Sequence, residues 1–206
     1  MSKLFFTPGA CSIGIHVLLE EIGKPYDLDR VDLSASPPDR ALTAVNAKSK
    51  VPTLQRDDGS TLTEFPAIAL WLAKTNPDKK LLGGTVEDEV RAIEAMDYAV
   101  STIHMQGFSR LFRPSNFAPA DADHDAVKAR GRDIVEKGFA VMDKALAGKD
   151  YIGGAFSIAD AALFYVEFWG ADRMGMTLPK NCAAHLARMK ARPAVAATLK
   201  QEGLGS

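Results

Sequence analysis

The sequence predicts an α/β domain of element order β-α-β-α-β-β-α at its N-terminal end, joined to an all-α C-terminal domain. Three observations carry this. Short apolar runs alternate with helical spacing over residues 1–75, Asp57-Asp58-Gly59 separates two strand-like runs, and strand patterns cease beyond the stretch NPDKKLLGGT. With 206 residues, 47% hydrophobic and 25% charged, the chain has ordinary globular composition and length for one large domain or two small ones.

Lys3 to Phe6 reads as a buried strand, followed by helical spacing at Ile13, Val17 and Leu18 that runs to Ile22, where Gly23 offers a stop. Tyr26 to Leu33 is spaced as a second strand, and Pro37-Pro38 leads into a short helix ending near Asn46. Val51 to Arg56 and Ser60 to Thr63 flank Asp57-Asp58-Gly59, the turn chemistry of an antiparallel hairpin. In Glu64 to Lys74 the residues Ile68, Trp71 and Leu72 share a helical face, and Pro66 is tolerated because it sits in the first turn.

Asn76 to Thr85 has linker composition, which places a first domain at 1–75, a linker at 76–85 and a helical domain at 86–206. Within the last, Val90, Ile93, Met96, Val100 and Ile103 repeat at helical spacing, and Asp123 to Ala147 is a long amphipathic stretch. Ser157-Ile158-Ala159-Asp160 has the S-x-x-D capping pattern before the apolar run Ala161 to Trp169. Arg192-Pro193 separates two final short helices, and GLGS reads as a frayed end.

Twenty-five basic against 26 acidic residues leave a net charge of -1, which gives no support to binding of nucleic acid or an anionic membrane. Leu4-Phe5-Phe6 is too short for the apolar region of a signal peptide, and no run reaches the roughly 18 apolar residues that cross a bilayer. Only Cys11 and Cys182 are present, far apart, which is unlike a secreted disulfide scaffold. The expected location is the cytoplasm, with reduced thiols.

The stretch FFTPGACSIG poses the chemical question, because a strand runs through Pro8 and Gly9 straight into Cys11 at the start of a helix. The first helical N–H groups, around residues 10 to 12, favour an anion there, and a thiol so placed is favoured as thiolate. Cys11 and Ser12 then form a pair able to hold or activate sulfur. The alternative is a small buried hydrophobe. A C-x-x-C disulfide is excluded because position 14 is glycine, and His16, His104, His124 and His185 show no metal-ligand spacing with either cysteine. No metal is expected.

The element order, Val51-Pro52 opening the third strand, Thr63-Glu64 opening the third helix and the Ser157–Asp160 box together resemble the cytosolic glutathione transferases across essentially the whole chain. PGACS and His104 within IHMQGF are most similar to the bacterial beta class, whose active site carries a cysteine. The resemblance implies a thioredoxin-like first domain with glutathione as co-substrate, a cis Val51-Pro52 bond whose preceding backbone meets the cysteinyl part of glutathione, and a homodimer. It further implies that Glu64 and the amide of Phe65 hold the γ-glutamyl end, one taking an ammonium and the other a carboxylate at a helix start. His104 would serve sulfur or substrate, being a group that titrates near neutrality.

The chain departs from the class at Phe6, where tyrosine is common, at Phe65, where a small residue is usual, and at Met105, where lysine is common. These leave the glutathione site intact, since residue 65 contributes backbone, and make the second-substrate site more apolar. The activity so implied is attack of the glutathione thiolate on a hydrophobic electrophile, bound near Phe112, Phe117 and Trp169. One alternative is Cys11-dependent thiol–disulfide exchange or reductive dehalogenation. Others are a noncatalytic carrier of hydrophobic ligands and a structural domain of the kind fused to translation factors, the last opposed by the presence of Cys11, Glu64 and His104.

Overall fold

The computed structural model describes residues 1–35 and 39–205, so Pro37 and Pro38, from which the second helix was expected to lead off, lie outside the described residues. Strand β1 (Ser2–Phe6) is followed by α1 (Ser12–Ile22), β2 (Tyr26–Arg30), α2 (Arg40–Val45), β3 (Thr53–Gln55), β4 (Thr61–Thr63) and α3 (Phe65–Thr75). The sheet order is β2-β1-β3-β4: β1 and β2 run parallel, and the remaining pairs are antiparallel. This is the mixed four-stranded sheet of the thioredoxin-like fold that the element order predicts.

Local signals account for the ends of these elements. Gly23 closes α1 at φ 73°, a left-handed conformation that glycine adopts without a Cβ clash, and donates its N–H to Leu19. Asp39 caps α2 by accepting from the N–H groups of Ala41 and Leu42. Leu4, Ile13, Leu18, Leu54 and Ile68 bring the inner faces of strands and helices into one buried core.

The second part of the chain contains α4 (Val86–Asp97), α5 (Ser109–Phe112), α6 (His124–Ala145), α7 (Ile158–Phe168), α8 (Lys180–Lys190) and α9 (Pro193–Gln201). Capping boxes open α4, through Thr85 and Asp88, and α7, through Ser157 and Asp160. Between α4 and α5 the chain winds as a wider π-helix over Tyr98–Phe108, and it does so again over Trp169–Arg173 after α7. The apolar spacing of Val90 to Ile103 predicts an ordinary α-helix throughout. Where the π segment crosses α6, a Cβ on Gly138 would stand 2.6 Å from Ile103 Cγ1, and one on Gly107 would stand 2.6 Å from Val135 Cγ2. Side-chain-free positions on both partners thus let the two backbones approach.

The described chain divides into two compact units, one of Met1–Leu81 together with residues from Arg188 onward, the other Leu82–Ala187. Sequence composition assigned everything after residue 85 to the helical domain. The difference arises because α9 packs on α1 and its end is tied to the first unit by specific bonds. Arg192 Nε donates to Glu21 Oε1 at 2.6 Å, and Gln201 Oε1 lies 2.8 Å from His16 Nε2.

Candidate active site

In the first unit, Cys11 occupies the N-cap of α1 as a half-buried thiol outside any disulfide, and its Sγ donates to the carbonyl of Val51 across 3.4 Å. The Val51–Pro52 bond is cis. Sequence reasoning grouped these residues through the family resemblance, and the fold brings them into contact. The loop leading to Val51 is built by Asn46, whose side-chain amide donates to the Lys50 carbonyl at 3.0 Å and to Thr53 Oγ1 at 2.8 Å, while its oxygen accepts from Lys48 N at 3.0 Å. Asn46 carried no sequence signal beyond a helix end.

Ser12 follows Cys11 as the first residue of α1. Its hydroxyl is buried and lies 3.4 Å from both the N–H and the carbonyl of Thr7, so it braces the loop before Cys11. The N–H groups of Ala10, Ile13 and Gly14 are likewise taken by the carbonyls of Thr7, Ala10 and Cys11, which narrows the expected anion site at the helix start.

A further brace comes from the far end of the chain. Glu202, whose side chain is enclosed, accepts the N–H of Gly9 at 2.7 Å through one carboxylate oxygen and lies 2.9 Å from His16 Nδ1 through the other. His16 is fully buried, with its ring 5.8 Å from that of Phe6. Neither His16 nor Glu202 had been assigned a role, since no local pattern links residues 186 positions apart.

Glu64 stands at the N-cap of α3 with φ 70° and ψ 126°, a backbone conformation costly for any residue with a Cβ. Its carboxylate makes no capping bond and instead meets Lys48 Nζ at 2.6 Å, which also donates to Thr63 Oγ1 at 2.9 Å. The Phe65 side chain is buried, leaving its backbone as the part at the helix start.

In the second unit, His104 lies in the π segment, half-buried, with Nδ1 3.3 Å from the hydroxyl of Tyr165. The Trp169 ring stands edge-on to it at 4.7 Å. Phe112, 41% exposed, stacks on Phe108 at 5.5 Å and meets Trp169 edge-on at 5.4 Å. Phe117 packs beneath the Arg110 guanidinium at 4.3 Å. Tyr165 was missed by sequence reasoning, because the run ALFYVEFW is too evenly apolar to reveal which residue turns toward His104. Among the described residues no group of three or more His, Cys, Asp or Glu is arranged to hold a metal ion, and no helix is long and apolar enough to cross a membrane.

A family model described as the glutathione S-transferase N-terminal domain matches residues 9–75, and one described as the glutathione S-transferase C-terminal domain matches residues 125–197. Glutathione S-transferase GstA of Escherichia coli O157:H7 is 37% identical over 207 residues, covering 98% of this chain and 99% of that protein. The chain belongs to the glutathione S-transferase family. A bacterial beta-class glutathione S-transferase of Sphingomonas chungbukensis superimposes with a TM-score of 0.84 at 37% identity, over 98% of this chain and 99% of that one. A sphingomonad glutathione S-transferase solved in complex with glutathione matches with the same TM-score of 0.84 and 37% identity, over 98% and 100% of the two chains. Beta-class likeness, anticipated from PGACS and His104, is therefore carried by whole-chain similarity as well as by motifs.

Proposed function

We propose that this protein conjugates the glutathione thiolate to hydrophobic electrophiles, with the glutathione site formed around Cys11, Val51, Pro52, Glu64 and the backbone of Phe65, and with His104 serving sulfur or substrate. The observation that carries the reading is the contact of the Cys11 thiol with the Val51 carbonyl beside the cis Pro52, at the start of α1. A helix N-terminus favours a thiolate. The sphingomonad relative solved with glutathione supports the ligand. Glu64 is exposed enough to receive an ammonium, exchanging Lys48 for it.

Phe112 and Trp169, with Phe117 nearby in sequence, supply the apolar surface for the electrophile, and Met105, half-exposed, adds to it where a charge would not. The reading includes a cytoplasmic homodimer acting in detoxification. Val86 and Val90, 80% and 52% exposed one turn apart on α4, support a further covered face.

The half-buried Cys11 thiol, which forms no disulfide, favours a second reaction at the same site. Its thiolate attacks a glutathione mixed disulfide, the substrate's other sulfur leaves as thiolate, and Cys11 is left bonded to glutathione. A second glutathione thiolate then releases Cys11 and forms oxidised glutathione. Calorimetry with reduced glutathione tests the site, and absence of binding at millimolar concentration overturns it. Cys11→Ser separates the two reactions: exchange is lost, whereas conjugation of an aromatic halide largely persists.

A further inference from the structure

The end of α1, the start of β2 and the last turn of α9, all within the first compact unit, line a cleft of about 450 Å³. Glu20 stands about 14 Å from Cys11 along the axis of α1, at roughly 1.5 Å per residue, so the cleft is separate from the Cys11 site. Leu19 and Leu28 give it an apolar wall, and its volume is that of a small-molecule site.

The polar side of the cleft is a set of connected bonds. Tyr26 donates its hydroxyl to Glu20 Oε1, Gln201 Nε2 donates to the same oxygen at 2.9 Å, and the Tyr26 hydroxyl lies 3.2 Å from Gln201 Oε1. Both donors fall on one oxygen, and among the described residues Glu20 Oε2 has no partner. Lys24 and Asp27 also line the cleft, and neither they nor Glu20 enters an ion pair among the described residues. Two carboxylates against one ammonium leave the lining acidic. Burial, and after it the bond and charge of Glu20, raise the Tyr26 phenol above its ordinary value.

We propose that this cleft binds a small organic cation with an apolar body, its ammonium on Glu20 Oε2 and its hydrocarbon against Leu19 and Leu28, and that occupancy is felt at the Cys11 loop. An anion would meet two carboxylates, and a neutral molecule would forgo the charge-assisted bond. An inorganic cation would leave the apolar wall uncovered. The route to the loop is bonded throughout: Gln201 Oε1 lies 2.8 Å from His16 Nε2, His16 Nδ1 lies 2.9 Å from Glu202 Oε1, and Glu202 Oε2 accepts the N–H of Gly9, two residues before Cys11. An ammonium on Glu20 competes with the Gln201 amide for that carboxylate, so the bound and free states differ at the head of this route. Neither part depends on which reaction Cys11 serves.

The test titrates the ¹⁵N-labelled full chain with 2-phenylethylammonium chloride at constant ionic strength, beside 2-phenylethanol and phenylacetate. The cation is expected to shift the amides of Glu20, Lys24, Asp27 and Leu28 saturably, with and without glutathione, and the other two probes to bind at least about tenfold more weakly. Glu20→Gln keeps an oxygen for Tyr26 and Gln201, and it should weaken the cation about three- to tenfold. Lys24→Glu, at an exposed position, should tighten it. Iodoacetamide labelling of Cys11, read by mass spectrometry of its peptide, should change at least about twofold at saturating cation, and less in Glu20→Gln at the same concentration.

No saturable shift in the millimolar range, shifts confined to other residues, or equal binding of phenylacetate overturns the site. So does a cation weakened by Lys24→Glu, a measurement that holds even if Glu20→Gln fails to fold. Saturable binding with unchanged Cys11 labelling upholds the site and overturns its coupling to the loop.

Discussion

Gly9 and Glu202 are 193 positions apart, yet their 2.7 Å hydrogen bond holds the loop that aims Cys11. The Glu202 carboxylate serves two partners, the Gly9 N–H and the His16 ring, inside an enclosed site. Glu202→Ala removes both acceptor oxygens and is therefore expected to leave buried groups unpaired, costing about 1–3 kcal/mol of stability, and to change the rate at which iodoacetamide labels Cys11; parental stability and labelling would refute the brace. Glu64 makes the opposite case. Its φ of 70° is strained, and its ion pair with Lys48 joins side chains 54% and 65% exposed, worth about 0–1 kcal/mol. Glu64→Gly should thus gain about 1 kcal/mol in thermal or denaturant unfolding as strain is released, while glutathione affinity falls at least about tenfold with loss of the charged partner. A variant that is both less stable and fully able to bind would contradict the assignment.

Helix α7 shows what a single element requires at its two ends. At its start, Ser157 accepts from the Ala159 N–H at 3.2 Å and donates to Asp160 Oδ2 at 2.9 Å, while Asp160 accepts from the N–H groups of Ser157 and Ile152. Ser157→Ala is expected to lower stability by about 0.5–2 kcal/mol with parental kcat per folded molecule, measured by paired melting and turnover assays. Further along, His185 of α8 lies 2.7 Å from Glu167 and 3.3 Å from Asp160, all three fully enclosed. Tyr151 packs its ring against His185, and Cys182 and Asp143 stand on the adjoining elements α8 and α6. Burial raises the Glu167 carboxyl from 4.5 to about 7 against the pull of His185. Burial lowers His185, but its bonds to Asp160 and Glu167 outweigh that and raise it from 6.5 to about 9. Both folded values exceed the unfolded ones, so the folded state holds its protons more tightly and loses stability as they leave. That loss is expected between about pH 4.5 and 7 for Glu167 and between about pH 6.5 and 9 for His185. The melting temperature should fall by several degrees across this span, and Glu167→Gln should flatten the lower part of the profile. A profile identical in Glu167→Gln and parent would show that this cluster does not govern it.

On the scale of the whole molecule, α9 completes the first compact unit after the chain has built the second. Val195 is fully buried, and the bonds of Arg192, Gln201 and Glu202 tie this return segment to α1 and the Cys11 loop. Val86 and Val90 stand exposed one turn apart on α4. If this face is covered by a second copy, sedimentation should give a dimer of the 22.2 kDa chain, and Val90→Asp should shift it toward monomer by placing a charge in an apolar contact. A single monomeric species in the parent protein would defeat the assembly.

Local chemistry decided much of this protein in advance. Period-two and helical spacing, the Asp57-Asp58-Gly59 turn, Gly23 as a helix stop and the Ser157–Asp160 box each act over a few residues, so the alternation of elements could be read directly. The helix starts after Cys11 and at Glu64 and the cis Val51–Pro52 bond were also legible, through motif or resemblance. Tertiary structure decided the remainder: that His16 and Glu202 meet beneath the Cys11 loop, that α9 belongs to the first unit, and that Tyr165 is bonded to His104. Each of these depends on groups distant in the chain, or on which side of a uniformly apolar helix is turned inward. Such pairings arise because buried polar groups must find partners once the core has closed, and short-range spacing holds no information about who those partners will be.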